Sequence, residues 1–184
     1  MLKKVLIVVG VVVVLIAGAM YYLNNRNRTL SPPQEEVWQG GEGTEFMVKY
    51  SAPSVRNRII FGTVEEGALQ PFGKYWRLGA NESTEINFTG SYFVEGNELK
   101  EGTYKVYCYP GADEFTFCFA PADGAWGAWE PEKEAELFKV QIPVNRLEVP
   151  VEQFAITLVP EAAEKGIEMI CEFSDYQLIV PFKK

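Results

Sequence analysis

Residues 104–119 read YKVYCYPGADEFTFCF and contain the pattern that decides the fold. On each side of Pro110-Gly111, side chains predicted to face the core alternate with side chains predicted to face the opposite side of the sheet. This period of two is typical of a β-strand with one buried face. The sequence Pro-Gly followed closely by Asp113 is characteristic of a turn. The segment therefore predicts an antiparallel β-hairpin.

The same alternation recurs on both sides of this hairpin. The further alternating segments lie at residues 46–50, 84–88, 138–144, 154–158, 167–173 and 178–182. Short strands that are separated by turn residues at roughly even spacing indicate an antiparallel β-sandwich or a barrel-like closure of the sheet. We therefore predict one all-β domain over residues 44–184.

The hairpin also predicts the directions of two of the three cysteines. If Cys108 pairs with Phe115, its side chain points into the core. Cys118 then pairs with Lys105 and points to the opposite face, so the register excludes a Cys108–Cys118 disulfide. Because Cys171 also lies on an apolar face, both a Cys108–Cys171 disulfide and three buried free thiols fit the sequence.

The chain begins with an apolar segment long enough to cross a membrane. Val5–Leu23 is an uncharged run of 19 residues, and a helix of this length matches a hydrocarbon core of about 30 Å. Lys3 and Lys4 precede it, and Ala17-Gly18-Ala19 has the form of a signal-peptide cleavage site. Because the apolar run continues past this triplet, we predict a retained transmembrane anchor over residues 1–23, with a secretory signal as the alternative.

The segment that follows the apolar run has the composition of a linker. Residues 24–43 are rich in Asn, Arg, Pro, Gln, Glu and Gly and show no sustained periodicity. Ser31-Pro32-Pro33 and Gly40-Gly41 add residues that interrupt regular structure. We therefore predict a flexible linker over residues 24–43 between the anchor and the β domain.

Charge and composition narrow the classes of function. The chain has 184 residues, a net charge of −8 at pH 7 and no histidine. An acidic chain is unsuited to nucleic acid, because phosphate backbones are bound by basic surfaces. Histidine is the commonest general base and metal ligand, and the sequence has no Gly-rich phosphate-binding or dinucleotide-binding motif. We predict that the chain is not an enzyme and uses no metal or cofactor.

One segment breaks the period-two pattern and is the candidate site. Residues 73–85 read GKYWRLGANESTE and concentrate polar and aromatic side chains. The candidate residues are Trp76, Arg77, Asn81 and Glu82. Arg77 offers a planar fork for a carboxylate or phosphate, and Trp76 offers a ring for stacking. In the structural alternative, Arg77 pairs with Glu82 and Asn81 fixes a turn. Further along the chain, Trp126 and Trp129 could form a carbohydrate platform or cap one end of the sandwich.

Several motifs resemble a bacterial family known as domain of unknown function 2911 (DUF2911). They are YSAPSV at 50–55, RIIFG at 58–62, GKYWRLGANE at 73–82 and GTY at 102–104. The resemblance covers residues 44–181. It implies an exported protein of an envelope-bearing bacterium and carries over no catalytic residue. Members of the family usually begin with a cleavable export signal, whereas the longer apolar run here indicates an anchored member.

Two functional hypotheses follow from these observations. In the first, Val5–Leu23 crosses the bacterial inner membrane once and the domain lies on the periplasmic side, where it acts as an accessory subunit of a membrane protein complex. In the second, the domain is an envelope ligand-binding module. Trp76, Arg77, Asn81 and Glu82 then line a pocket for a glycan or a small anionic ligand.

Overall fold

The computed structural model of the chain shows one N-terminal helix followed by a domain built from β-strands. It describes residues 2–122, 124, 127–162 and 165–184. The elements are α1 (Leu2–Leu30), β1 (Pro33–Gln39), β2 (Glu45–Ser51), β3 (Phe61–Gly62), β4 (Gln70–Pro71), β5 (Thr84–Phe88), β6 (Tyr92–Val94), β7 (Asn97–Leu99), β8 (Gly102–Tyr109), β9 (Glu114–Pro121), β10 (Phe138–Pro160) and β11 (Gly166–Lys183). The predicted all-β domain with one helix before it is confirmed.

Nine of the strands form one large antiparallel sheet. Their order is β1-β2-β5-β8-β9-β10-β11-β6-β7, while β3 and β4 form a separate parallel pair. The long strand β10 pairs with β9 through Phe138–Pro143 and with β11 from Val144 onward. Shifts of register near Arg146 and Val151 bend this strand, as β-bulges do. A single strand thus passes from one half of the sheet to the other.

The two halves of the sheet face each other across one aromatic core. Phe182 of β11 contacts Phe46 of β2, with ring centroids 4.9 Å apart, and Phe119 of β9 at 6.1 Å. All three rings are fully buried. Because each half buries its apolar face against the other, the hydrophobic effect stabilises a sheet folded over on itself, which is the sandwich arrangement that the alternation predicts.

The β8–β9 hairpin has the predicted faces but a different register. Cys108 lies opposite Phe117, two residues from the predicted Phe115, and the partner of Cys118 moves by the same two residues. A shift of two leaves each side chain on its predicted face. Cys108, Cys118 and Cys171 are all buried free thiols, so the alternative disulfide between Cys108 and Cys171 is not formed.

The register differs because the residues at the hairpin turn bond to neighbouring segments. The Gly73 N–H donates to the Pro110 carbonyl at 2.8 Å, and the Val144 N–H donates to the Asp113 carbonyl at 2.8 Å. These two carbonyls are therefore engaged outside the hairpin, and the β8–β9 ladder begins further from the turn. The residues of the turn alone do not indicate that distant N–H groups compete for these carbonyl groups.

The structure corrects the prediction of a flexible linker over residues 24–43. Helix α1 continues to Leu30, and Pro33–Gln39 forms β1, which pairs along its whole length with β2. The polar composition has a different cause here, because β1 is an edge strand with most side chains exposed. Pro33 at the first position of such a strand removes no necessary hydrogen bond. Only Ser31 and Pro32 separate the helix from the sheet.

Helix α1 stands clear of the β domain over its apolar part. It contains 29 residues, which at about 1.5 Å per residue gives a length of about 43 Å. It is long and apolar enough to cross a membrane, as either a span or a signal sequence, and none of its apolar window is buried against the rest of the chain. Its polar last turns are the part that reaches the domain.

Candidate functional site

Trp76, the first of the predicted site residues, lies in the core. Its side chain is 2% exposed, and its ring contacts Phe61 and Phe154 with centroids 5.1 and 5.4 Å away. Its backbone exchanges two hydrogen bonds of 2.8 Å with Cys108, and its Nε1–H donates to the Gly79 carbonyl at 3.3 Å. The geometry gives Trp76 a packing role and leaves no exposed ring face for a glycan.

The loop that leads into β5 is tightly folded against β2. Gly79 has a φ of +143°, and a Cβ at this position would lie 2.7 Å from the Ser51 carbonyl oxygen. Leu78 and Asn81 also have left-handed φ values of 53° and 56°, which cost of order 1–3 kcal/mol each. The Thr84 hydroxyl donates to the Leu78 carbonyl at 2.6 Å and helps to hold this conformation.

Asn81 contacts the end of α1. Its side chain is 9% exposed, and its Nδ2 donates to the Ser31 carbonyl at 3.1 Å and to the Asn27 carbonyl at 3.4 Å. The last carbonyl groups of a helix lack partners within the helix and need donors from elsewhere. Asn81 supplies a donor to the Ser31 carbonyl, and it adds a second donor to the Asn27 carbonyl, which also accepts from the Ser31 N–H at 2.9 Å.

Two further side chains bind the end of α1. Glu82 forms an ion pair with Arg28 of the helix and accepts a hydrogen bond of 3.4 Å from the Ser51 hydroxyl. Arg56 donates from Nη2 to the Leu30 carbonyl at 3.1 Å. A cation at this position also interacts favourably with the negative end of the helix dipole.

We refer to Arg56, Asn81 and Glu82 as the helix clamp. The sequence pattern places Asn81 and Glu82 in one cluster, but it does not include Arg56 among the candidate residues and does not indicate the helix as their partner. The expected pair between Arg77 and Glu82 does not form, because Arg77 donates from Nη1 to the Asn81 carbonyl at 3.1 Å instead. A usable signal was present, since Pro32 is a typical residue just beyond a helix end.

Two adjoining cavities lie beside the helix clamp and are lined by arginines. The larger, of about 220 Å³, is lined by Arg58 and Arg77. The smaller, of about 150 Å³, is lined by Arg56 and Arg58. Both cavities include Asn81 in their walls. Arg77 is half-buried, and this burial lowers the pKa of its guanidinium from the usual range.

A larger groove of about 490 Å³ lies on the other side of the clamp, between the end of α1 and strands β1 and β2. It contains charges of both signs. Arg28 pairs with Glu82, and Lys49 pairs with Glu35 at 3.5 Å. Because both cations already have carboxylate partners, this groove offers less unmatched charge to a ligand than the arginine-lined cavities do.

The outer face of the β8–β9 hairpin carries a buried thiol among phenols. Burial raises the pKa of Cys118 to about 12, so this thiol is neutral at pH 7 and is a poor nucleophile. The Tyr107 hydroxyl donates to Glu136 at 3.2 Å.

Among the residues that the structure describes, no group of three or more potential ligands is placed to hold a metal ion. Trp129 is 69% exposed, whereas Trp126 lies outside the described residues.

Comparison with known proteins identifies the family. The model of a family described as "Protein of unknown function (DUF2911)" matches residues 31–182. No curated protein and no solved structure matches the chain. The match covers most of the chain, so the protein belongs to the DUF2911 family, as its motifs indicate. The matched region begins directly after α1, so the helix clamp belongs to the family domain while Asn27 and Leu30 precede it.

Proposed function

We propose that this member of the DUF2911 family is a non-enzymatic, single-span membrane protein that serves as an accessory subunit of a membrane protein complex. In this proposal Val5–Leu23 crosses the bacterial inner membrane and the β domain lies on the periplasmic side. The helix clamp is the observation that carries the proposal, because it ties the domain to the membrane-crossing element without a flexible tether.

The exposure of α1 supports a retained span. Large apolar side chains from Val5 to Leu23 are about half to three-quarters exposed, with Tyr21 at 75%. Such a surface is unfavourable in water and favourable in lipid. The helix also continues for eleven residues past Ala19, into the region that the clamp holds, whereas a cleavable signal needs an apolar core of only about 7–15 residues.

The rigid attachment supports an interaction role. From Leu23 to Leu30 the helix rises by about 10 Å, so the clamp holds the domain close to the membrane surface. Ordering a linker costs about 1–2 kcal/mol per residue in backbone entropy. A ligand-binding domain that can bind its ligand in any orientation gains nothing from a fixed linker. A fixed orientation matters to a neighbour that is itself fixed in the same membrane. Lys3, Lys4 and the terminal amine precede the span and Arg26 and Arg28 follow it, so the positive-inside rule gives only a slight preference for an extracytoplasmic domain.

Purification of the full chain in mild detergent tests this proposal. The tagged chain is expressed in its own host at its native level and is then extracted from the membrane. Native mass spectrometry measures the mass of the extracted species. We expect a complex that contains a second membrane protein. The double variant Asn81→Asp with Glu82→Gln releases the clamp and should lose this protein while staying in the membrane.

The matched control for the clamp variant is Asn57→Asp. Asn57 is exposed, has a left-handed φ of 56° like Asn81, and contacts no helix residue among the hydrogen bonds of the described part of the chain. This control should retain the partner. A monodisperse species of a single 20.7 kDa chain without any companion protein, in the unmodified sequence, would contradict the proposal.

A further inference from the structure

The arginines of this acidic chain are concentrated at one place. The sequence contains six arginines, although its net charge at pH 7 is −8. Five of them lie on the last turns of α1 or in the two loops that hold it, namely Arg26, Arg28, Arg56, Arg58 and Arg77. Such a local concentration of one cationic residue type on an acidic protein requires an explanation beyond solubility.

Four of these five arginines, Arg26, Arg56, Arg58 and Arg77, form no ion pair with a carboxylate in the described part of the chain. Among the ion pairs within the described residues, arginine takes part only as Arg28 and Arg146. The walls of the two arginine-lined cavities, as far as the structure describes them, contain no acidic residue. The nearby Glu152 is directed to the backbone, because its Oε1 accepts a hydrogen bond of 3.0 Å from the Arg56 N–H. The positive charge in the cavities is therefore unmatched.

Arg58 and Arg77 also have unused donors. A guanidinium carries five N–H donors. Arg58 donates to the Val55 carbonyl at 3.0 Å and the Ser54 carbonyl at 2.6 Å, and Arg77 donates to the Asn81 carbonyl at 3.1 Å. These bonds fix the direction of each side chain and leave further N–H groups available on both, so the geometry is preorganised for an anion.

The loops that present these arginines have strained backbones. Arg56 has a φ of 52° and Asn57 of 56°, and Leu78 and Asn81 repeat this in the second loop. Four of the six non-glycine residues with positive φ in the described part of the chain thus flank the cavities. Strain of this kind persists where the surroundings over-determine the conformation, and it is common at ligand sites.

We propose that the larger arginine-lined cavity beside the helix clamp binds a phosphate group, with Arg58 and Arg77 as its main ligands and Arg56 in the adjoining smaller cavity. A phosphate offers several acceptor oxygens to two guanidinium forks at once, which a single carboxylate does less well. The cavity of about 220 Å³ accommodates a phosphate ester group. The site lies on the family domain and does not depend on the proposed complex.

Two sources of phosphate are within reach of this cavity. The end of α1 lies about 10 Å beyond the apolar run, so the headgroup of an anionic lipid can approach the arginines from the membrane side. A soluble phosphorylated molecule can enter from the aqueous side. The chemistry of recognition is the same in both cases, and two arms of one experiment distinguish them.

The first arm measures binding of inorganic phosphate by calorimetry to the full chain in a neutral detergent, with acetate as the comparison anion. We expect binding of phosphate and at least about tenfold weaker binding of acetate. Arg77→Gln and Arg58→Gln should each weaken phosphate binding about tenfold or more, because each removes a charge-assisted pair. Arg26→Gln is the matched control, since Arg26 lies on α1 outside the cavity walls.

The second arm places the full chain in phosphatidylcholine discs with or without phosphatidylglycerol and measures the unfolding temperature. A rise with the anionic lipid that Arg77→Gln and Arg58→Gln abolish, and Arg26→Gln preserves, assigns the site to a headgroup. Phosphate binding without a lipid effect assigns it to a soluble ligand.

The proposal fails if neither arm detects binding, if acetate binds as well as phosphate, or if Arg26→Gln weakens binding as much as the cavity variants. Arg58 is exposed, so its variant keeps the test valid if Arg77→Gln does not fold. The absence of a companion protein in the purification of the unmodified chain would contradict the proposed function but leave this result unaffected.

Discussion

Gly79 is the single residue on which the geometry of the helix clamp most depends. Its φ of +143° is a conformation that only glycine adopts readily, and any Cβ would meet the Ser51 carbonyl at 2.7 Å. We predict that Gly79→Ala lowers the free energy of unfolding by about 2–4 kcal/mol, combining backbone strain and a clash with backbone. Urea unfolding of the full chain in detergent measures this change.

Gly67→Ala is the control for this prediction. Gly67 also has a left-handed φ, of +71°, but a Cβ there would have no atom within 4 Å. Its substitution should cost only about 1 kcal/mol, the strain of the backbone alone. If both variants lose the same stability, the close approach of the loop to Ser51 is not what makes Gly79 necessary.

Single residues also show where sequence reasoning reaches its limit. The sequence indicates a polar cluster at Asn81 and Glu82 because these residues interrupt an alternating pattern. Trp76 belonged to the same segment, yet its ring is buried, since it packs on Phe154, which is distant in sequence. Whether an aromatic ring in a polar segment is a core residue or a binding surface depends on contacts that local sequence does not contain.

At the scale of elements, the junction of α1 with the domain gives the next prediction. Asn81→Asp removes the two donors to the Ser31 and Asn27 carbonyls and places a carboxylate against them. We predict faster amide hydrogen exchange in residues 27–31, by about 5–30-fold, because loss of such hydrogen bonds costs about 1–2 kcal/mol. Asn57→Asp, at the same backbone conformation, should leave this exchange unchanged.

This prediction separates a clamped helix from a tether. If residues 27–31 of the unmodified chain already exchange at the rate of an unfolded peptide, no clamp exists to be released. If Asn57→Asp accelerates exchange as much as Asn81→Asp, the effect is one of charge and not of the lost donors.

The strands and the junction differ in how far the sequence predicts them. Alternation identified the strands around the hairpin because one face of each is buried in the aromatic core. The composition of residues 24–43 does not predict their structure, because their polarity reflects a helix end and an edge strand, both solvent-exposed on most sides. The energy that orders them comes from partners in the domain, such as Ser51 opposite Pro33, and this pairing is not encoded within the segment itself.

At the scale of the whole molecule, charge is distributed asymmetrically. Lys3 and Lys4 are the only charged residues among the first 23, so residues 24–184 carry 15 basic and 25 acidic side chains and a net charge of −10. An acidic body is repelled by anionic lipid, whereas the arginine-rich junction with α1 is attracted to it. If α1 is a retained span, as we propose, this arrangement favours a domain that contacts the membrane only through its helix end and keeps its acidic surface away from the lipid.

The proposal that α1 is retained and holds the β domain at the membrane is tested by the intact mass of the mature protein. We predict that the protein recovered from membranes has the full mass of 20.7 kDa and is released by detergent but not by high salt. A mature chain that begins at Met20 and leaves the membrane with salt alone would contradict it.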